Sequence, residues 1–176
     1  MQKKLAFNTD LCIGCKACEL ACSLRKDDCF SPARARLAAL TFTETESTLS
    51  FNEVFFCRQC ADAPCAARCK EGALHWAGEP GSVLVIDLER CTGCARCVTA
   101  CPFGAMRFDA EQRKAVKCDV CAGDPACVAV CPTAALNFQA GEAFFARRKE
   151  ARMRAYAYLR AGKRASLKRG KKQPAQ

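Results

Sequence analysis

The chain has 176 residues, of which 17 are cysteine, and its formal net charge is +10 at pH 7. A cysteine content of roughly a tenth usually marks a disulfide scaffold, but here the count is odd and every cysteine except Cys29 lies in a tight cluster. MQKKLAFNTD has no apolar stretch of signal-peptide length, and no run of about 18 apolar residues predicts a membrane span. We therefore expect a reduced, cytoplasmic chain that uses its thiols as ligands.

The first cluster of thiols, motif one, reads CIGCKACELAC and consists of Cys12, Cys15, Cys18 and Cys22. A 34-residue insertion follows at residues 23–56. Within it, ARLAALTF and TLSFNEVFF flank the polar run TETES. Two apolar segments around a polar, turn-like run predict a β-hairpin.

Motif two, CRQCADAPCAARC, consists of Cys57, Cys60, Cys65 and Cys69. Its middle gap, the segment between the second and third cysteines, is longer than that of motif one. Two short apolar segments follow it, EGALHW (71–76) and SVLVID (82–87), and GEPG (78–81) lies between them. We interpret both segments as strands and GEPG as the turn of their hairpin.

Motif three, CTGCARCVTACP, consists of Cys91, Cys94, Cys97 and Cys101. Pro102 disfavours helical backbone at Cys101 and lacks an N–H, so it helps to end a helical turn over Val98 to Ala100. FGAMRF (103–108) and KAVKC (114–118) are the next two predicted strands.

Motif four, CDVCAGDPACVAVC, consists of Cys118, Cys121, Cys127 and Cys131, and TAALNF (133–138) follows it as a further predicted strand. The order strand, cysteine loop, short helix, strand thus recurs along the chain in phase with the cysteines. This order predicts an α+β fold built from ferredoxin-like half-units.

The spacing of the thiols separates two kinds of metal site. Structural zinc is usually held by two C-x2-C pairs from distant segments. A C-x2-C-x2-C-x3-C-P run is instead the signature of bacterial ferredoxins with two iron–sulfur clusters, in which the fourth cysteine binds the neighbouring cluster. Four such motifs predict iron–sulfur clusters, and a zinc protein that binds nucleic acid is the remote alternative.

The linkers between motifs suggest how they pair. Motifs two and three are contiguous and predict one two-cluster module, which leaves motif one to pair with motif four. The rival pairing, one with two and three with four, is weaker because the insertion lies between motifs one and two, but it stays open.

The C-terminal segment has a different composition from the rest. Residues 147–172 hold twelve Lys or Arg and one acid, Glu150, so residues 1–146 hold sixteen of the 28 bases and seventeen of the 18 acids. An apolar stripe at helical spacing predicts an amphipathic helix; its members are Phe144, Ala151, Ala155, Tyr158 and Leu159. We expect residues 142–176 to form this basic helix and a disordered end, and we favour docking of the segment onto an acidic partner surface over a solvated helix or binding to a membrane surface.

The motifs together resemble a known family, the four-cluster iron–sulfur subunits of molybdenum and tungsten oxidoreductases of the dimethyl sulfoxide reductase, formate dehydrogenase and aldehyde oxidoreductase types. The resemblance covers about residues 3 to 140 and includes CRQCADAPCAARC, KCDVC and CFSPARARL. Lys70 stands after Cys69 where the family usually has proline, and motif four has a shorter middle gap than in many members. Neither departure removes a ligand.

The resemblance implies two nested bacterial-type two-cluster ferredoxin modules with a C-terminal helical extension. The outer module comprises residues 1–56 and 102–141, the insertion 23–56 included, and the inner module comprises residues 57–101. It also implies four 4Fe–4S clusters with these ligands: Cys12, Cys15, Cys18 and Cys131; Cys118, Cys121, Cys127 and Cys22; Cys57, Cys60, Cys65 and Cys101; Cys91, Cys94, Cys97 and Cys69. Without them we expect the chain to be largely unfolded.

These features predict a non-catalytic subunit that relays single electrons between a molybdenum- or tungsten-type catalytic subunit and a second redox partner. Copies of the chain could also stack through the C-terminal helix. The alternative is a freely diffusing polyferredoxin that serves several enzymes. No phosphate loop, nucleotide fingerprint or catalytic triad is evident, and nothing indicates nucleic-acid binding. Cys29, outside the motifs, is expected to be a small buried apolar residue.

Overall fold

The computed structural model describes residues 3–43 and 50–140. Four α-helices and eight strands lie within these residues, and pairs of consecutive strands separate the helices. The helices are α1 (Ala17–Asp27), α2 (Pro64–Ala67), α3 (Arg96–Ala100) and α4 (Ala126–Ala129). The strands are β1 (Lys3–Phe7), β2 (Ala38–Thr43), β3 (Ser50–Phe55), β4 (Leu74–Trp76), β5 (Leu84–Ile86), β6 (Arg107–Asp109), β7 (Lys114–Val116) and β8 (Leu136–Ala140).

The strands form four antiparallel two-stranded sheets: β1 with β8, β2 with β3, β4 with β5, and β6 with β7. The first of these joins the two ends of the described chain, because Leu5 lies opposite Phe138 and Phe7 lies opposite Leu136. Motif one follows β1 and motif four precedes β8. The sheet therefore brings the first and last cysteine motifs to the same part of the molecule.

The predicted α+β class and most predicted strands agree with the structure. The insertion contains the hairpin β2–β3, whereas its TETES turn lies almost wholly outside the described residues. Residues 79–82 turn the chain between β4 and β5, with the amide of Ser82 donating to the carbonyl of Glu79 at 3.0 Å. No strand was predicted before motif one, yet KKLAF forms β1.

One predicted strand is shorter than expected. FGAMRF (103–108) is extended strand only from Arg107 onward. The amide of Gly104 donates to the carbonyl of Cys101 at 3.4 Å, and that of Ala105 donates to its Sγ, also at 3.4 Å. Because these donors are used around the cysteine, they cannot form the ladder of β6.

The buried apolar residues form two cores, and each contains cysteines. One core is built around Leu5, Leu37, Phe56 and Leu136 and includes thiols of motifs one and four. The other is built around Leu74, Leu84 and Met106 and includes thiols of motifs two and three. The side chains that exclude water thus surround the candidate ligands.

Polar contacts join the insertion to the end of α1 and to β6. The Arg36 guanidinium makes two parallel 2.9 Å bonds to the carboxylate of Asp27, at the end of α1, and both side chains are almost fully buried. The Arg107 guanidinium, on β6, donates to the carbonyls of Ala35 at 2.7 Å and Leu37 at 3.1 Å. Bidentate and charge-assisted bonds of this kind fix orientation as well as adding stability.

A membrane-spanning helix was not predicted, and over the described part of the chain no helix is both long and apolar enough to span a bilayer. The predicted C-terminal amphipathic helix, residues 142–176, lies outside the described residues.

Candidate metal centres

Three cavities are each lined by four motif cysteines. The Cys12 site is a cavity of about 440 Å³, open solvent included, lined by Cys12, Cys15, Cys18 and Cys131. The Cys91 site, of about 370 Å³, is lined by Cys69, Cys91, Cys94 and Cys97. The Cys57 site, of about 330 Å³, is lined by Cys57, Cys60, Cys65 and Cys101. In each cavity three thiols come from one motif and the fourth comes from another.

The remaining thiols form a fourth group, the Cys118 site, which consists of Cys22, Cys118, Cys121 and Cys127. Their proximity is visible in their electrostatics. Burial raises the pKa of the Cys127 thiol, and the neighbouring Cys118, Cys22 and Cys121 raise it further. Burial also raises the pKa of Cys22, where Cys121 adds to the effect. Cys22, from α1, is the member that comes from another motif.

The four groups follow one another in space. Cys57 is among the charges that raise the pKa of Cys118, and Cys18 is among those that raise the pKa of Cys127. The Cys118 site therefore adjoins both the Cys57 site and the Cys12 site. The Cys91 and Cys57 sites share one core. Cys94 and Cys15 are the two exposed motif cysteines, so the sites at both ends of the series reach solvent.

A short helix carries a thiol from one site to the next. α3 holds Cys97 of the Cys91 site and ends at Ala100, after which Cys101 is extended at φ −73° and ψ 112° and lines the Cys57 site. The predicted end of the helix before Pro102 is confirmed.

The same backbone conformation recurs in every C-x2-C turn. The residue before the second cysteine is left-handed in all four motifs, with φ of +70° at Gly14, +52° at Gln59, +74° at Gly93 and +53° at Val120. Glycine adopts this conformation without steric cost, whereas it strains other residues, β-branched valine above all. The left-handed conformation of Gln59 and Val120 was not predicted from the sequence. The available signal was that both residues precede the second cysteine of their motif, as Gly14 and Gly93 do.

A second turn recurs after the fourth cysteine. Gly72, Gly104 and Ala134 are all left-handed, and their amides donate to the carbonyls of Cys69, Cys101 and Cys131 respectively. β4, β6 and β8 begin after these turns. The internal repeat predicted from sequence is thus also a repeat of backbone geometry.

Backbone amides donate to several of the thiol sulfurs. The amide of Arg36 lies 3.2 Å from Cys22 Sγ, that of Val120 lies 3.4 Å from Cys118 Sγ, and that of Leu136 lies 3.5 Å from Cys131 Sγ. Such bonds favour the thiolate, and at an iron–sulfur centre they help to set the reduction potential.

Burial opposes the thiolate form at half of the sixteen motif cysteines. It raises the pKa of Cys18 and of Cys118 to about 12, and that of Cys60 and of Cys97 to about 11. Two motif cysteines show the reverse: the amide of Arg96 lowers the pKa of the exposed Cys94, and at Cys131 burial is outweighed by hydrogen bonds from Leu136 and Thr133, which lower the pKa. Converging buried thiols hold their protons until a cation replaces them, so ligand binding must be coupled to proton release.

The donor set fits iron–sulfur clusters. Over residues 3–43 and 50–140, no three His, Cys, Asp or Glu side chains form a group suited to a single metal ion. A 4Fe–4S cluster does not require such convergence, because each thiolate binds a different iron, and four cysteines around an apolar cavity supply the ligands it uses. The individual ligand assignments stay predictions.

Two side chains behave differently from what the sequence suggested. Cys29 was expected to be buried but is half-buried, because it follows the left-handed end of α1 at Asp28 and precedes the exposed Phe30. Lys117, just before motif four, is almost fully buried. Sequence reasoning assigned it no role.

Comparison with known proteins identifies the family. Residues 51–141 match the model of the 4Fe-4S dicluster domain, and residues 5–23 match that of the 4Fe-4S binding domain. YsaA of Escherichia coli K12, which is named as an electron transport protein, is 37% identical over 131 residues, or 68% of this chain and 76% of YsaA.

Two further relatives carry the names of enzyme subunits. The B subunit of anaerobic dimethyl sulfoxide reductase from Haemophilus influenzae is 31% identical over 64% of this chain and 58% of its own length. The polyferredoxin-like subunit of aliphatic sulfonate oxidoreductase from Pyrococcus furiosus is 36% identical over 66% of this chain and 64% of its own length. The chain therefore spans somewhat less than two thirds of both.

The paired cysteine motifs, the cavities that they line and the match over residues 51–141 agree. The chain belongs to the 4Fe-4S dicluster domain family and is an iron–sulfur electron-transfer protein of the oxidoreductase-subunit type.

Proposed function

We propose that this chain relays single electrons through four 4Fe–4S clusters between a catalytic subunit and a second redox partner. The observation that carries the proposal is the series of four cysteine groups, with exposed thiols at both ends. Clusters held at these sites would supply one-electron redox chemistry, in which each donor is oxidised by one electron and each acceptor is reduced by one.

The chain's own residues would hold and tune these centres. We assign one cluster to each of the Cys12, Cys118, Cys57 and Cys91 sites, with the four cysteines of the site as its ligands. The apolar cavity walls exclude water, and the amides of Arg36, Val120 and Leu136 donate to ligand sulfurs. Both features act on reduction potential rather than on substrate chemistry. The chain itself is therefore proposed to be non-catalytic.

The proposed architecture is nested. Residues 1–56 and 102–141 would form the outer two-cluster module, and residues 57–101 the inner one. The pairing of β1 with β8 supports the outer module, since it joins the segments that carry motifs one and four. The core that holds Cys65, Cys97 and Cys101 supports the inner module.

The catalytic partner is proposed to be a molybdenum- or tungsten-pterin oxidoreductase subunit. The names of the Haemophilus and Pyrococcus relatives support a subunit role. A second redox subunit or carrier would exchange electrons at the other end, in the cytoplasm. The basic residues 142–176 are proposed to dock onto an acidic surface of a partner, or of a second copy that extends the electron path.

Metal analysis of anaerobically purified full-length protein tests the proposal. We expect about sixteen iron and about sixteen acid-labile sulfide per chain, because each of four clusters brings four of each. Reductive titration should take up one electron per cluster. Stoichiometric zinc without sulfide would contradict the proposal.

The chains that co-purify separate the subunit from a free carrier. A tagged chain expressed in its native host should bring down a pterin-containing catalytic subunit in constant ratio. Isolation of the loaded protein alone, with equal electron transfer to several unrelated enzymes, would instead support a freely diffusing polyferredoxin.

A further inference from the structure

Four buried residues form a closed ring of hydrogen bonds between motif two and motif four. The Gln59 side-chain amide donates from Nε2 to the carbonyl of Cys118 at 3.0 Å, and its Oε1 accepts from the amide of Leu84 at 2.9 Å. Lys117 Nζ donates to the carbonyl of Cys118 at 2.8 Å and also to that of Leu84. The ring therefore links β5, the Cys57–Cys60 turn and the start of motif four.

The ammonium in this ring is buried without an anionic side chain beside it. Lys117 is 5% exposed. Among the described residues no carboxylate forms an ion pair with it. Two carbonyls satisfy part of its hydrogen-bonding capacity, but they carry no net charge. A buried cation is costly unless an opposite charge compensates it, so compensation must come from another source.

The ring lies between two candidate metal sites. Gln59 stands between Cys57 and Cys60, and Leu84 lines the cavity of the Cys57 site. On the other side, Lys117 directly precedes Cys118, and its positive charge favours the thiolate form of that cysteine. The Cys57 and Cys118 sites are the middle pair of the series, so the ammonium lies close to both.

We propose that the Lys117 ammonium is the shared counter-charge of the two central clusters and raises the reduction potential of both. The inference rests on the proposed function, since thiolate-bound clusters supply the missing negative charge. An added electron is stabilised by a nearby cation, and the interaction is strong where water is excluded. Lys117 thus tunes the central electron-transfer step through its charge, while Gln59 links the backbone of Leu84 to that of Cys118, the two residues whose carbonyls accept from the ammonium.

Two variants remove the charge by different routes. Lys117→Met deletes the ammonium at similar side-chain length, and Gln59→Glu keeps the lysine but places a carboxylate beside it. In EPR-monitored redox titrations of the full-length, anaerobically loaded protein, both should lower the midpoint potentials assigned to the Cys57 and Cys118 sites. The potentials of the Cys12 and Cys91 sites should change much less.

Two controls separate charge from structure. Gln59→Met breaks the ring without changing charge, so it should lower thermal stability and leave the central potentials close to those of the wild type. Lys114→Met is the matched charge control, because Lys114 begins β7, the strand that Lys117 directly follows, and its ammonium also donates to a cysteine carbonyl, that of Cys91, at 2.5 Å. It should affect the Cys91 site alone.

The outcomes distinguish this inference from the proposed function. A wild-type protein without about four iron per site would contradict the proposed function itself. Loaded Lys117→Met and Gln59→Glu with four unchanged potentials would overturn the role of Lys117, as would an equal shift in Gln59→Met. If both charge-removing variants fail to load clusters and Lys117→Arg loads them, the need for a positive charge is supported. If Lys117→Arg also fails, the site requires the shape of lysine, and the inference is wrong.

Discussion

Replacing Gly93 by alanine tests the geometry of the C-x2-C turns. Gly93 has φ +74°, and a Cβ built there would lie 2.1 Å from the carbonyl oxygen of Arg113. Real Cβ contacts stay beyond 3.0 Å, so the backbone must move by about 0.9 Å. The left-handed conformation costs alanine about 1–2 kcal/mol. Relief of the clash adds about 1–3 kcal/mol, the usual cost of overpacking.

Gly81→Ala is the matched control, because Gly81 has φ +87° and open space around it. It isolates the conformational cost. At about 2–4 °C per kcal/mol for a chain of this size, Gly93→Ala should melt at least about 2 °C below Gly81→Ala and also lose iron from the Cys91 site. Circular dichroism and iron analysis under argon measure both. Equal melting temperatures with full iron content would refute the clash and the close approach of Arg113.

Three further predictions address ligation, electrostatics and the C-terminal segment. Cys101→Ser should perturb the EPR signal of the Cys57 site more than that of the Cys91 site; a change at the Cys12 or Cys118 site instead would contradict the assignment. Burial raises the pKa of Asp119, but the hydrogen bond and charge of Lys26 outweigh burial, so the pKa lies below its ordinary value of 3.8. The Lys26–Asp119 pair therefore stabilises the fold above pH 3.8 and loses this effect as the pH falls through the lower folded-state pKa. Lys26→Met should lower the free energy of unfolding in urea at neutral pH by less than about 1 kcal/mol, because Asp119 is about a third exposed. Removing residues 142–176 should leave iron content and absorption intact but weaken assembly with the partner or with a second copy. Added salt should weaken assembly of the full chain in the same way, because exposed charges are screened beyond about 8 Å. Complexes of unchanged size in size-exclusion chromatography would refute a docking role.

Cysteine spacing predicts much of this molecule because each motif is a local device. The C-x2-C turn, the short helix and the strand that follows are set by residues within a few positions of one another. The phase of the strands after motifs two and four could be predicted on that basis. β6 was less accurate because the amides after Cys101 bond to that residue's carbonyl and sulfur.

Features that depend on distant segments could not be predicted in the same way. Nothing in the sequence near Gln59 shows that its side chain bonds to Leu84 and Cys118. These two hydrogen bonds help to offset the strain of a left-handed glutamine at a position where motifs one and three have glycine. Lys117 likewise reads in the sequence as an exposed lysine after a strand, and only tertiary packing shows that it is buried. The N-terminal strand was missed because KKLAF is a five-residue segment that opens with two lysines, and it becomes a strand through pairing with β8.

The pairing of β1 with β8 has a consequence for biosynthesis. Cys12 and Cys131 are 119 positions apart, and a ribosome adds about 5–20 residues per second. About 6–24 s therefore pass between the synthesis of the first and last thiols of the Cys12 site. Residues 57–101 leave the ribosome before β8 does, so their strands and helices can form while β1 still lacks its partner. The N-terminal thiols are the first to be made and the last to be enclosed, which makes them the part of the nascent chain most in need of protection from oxidation.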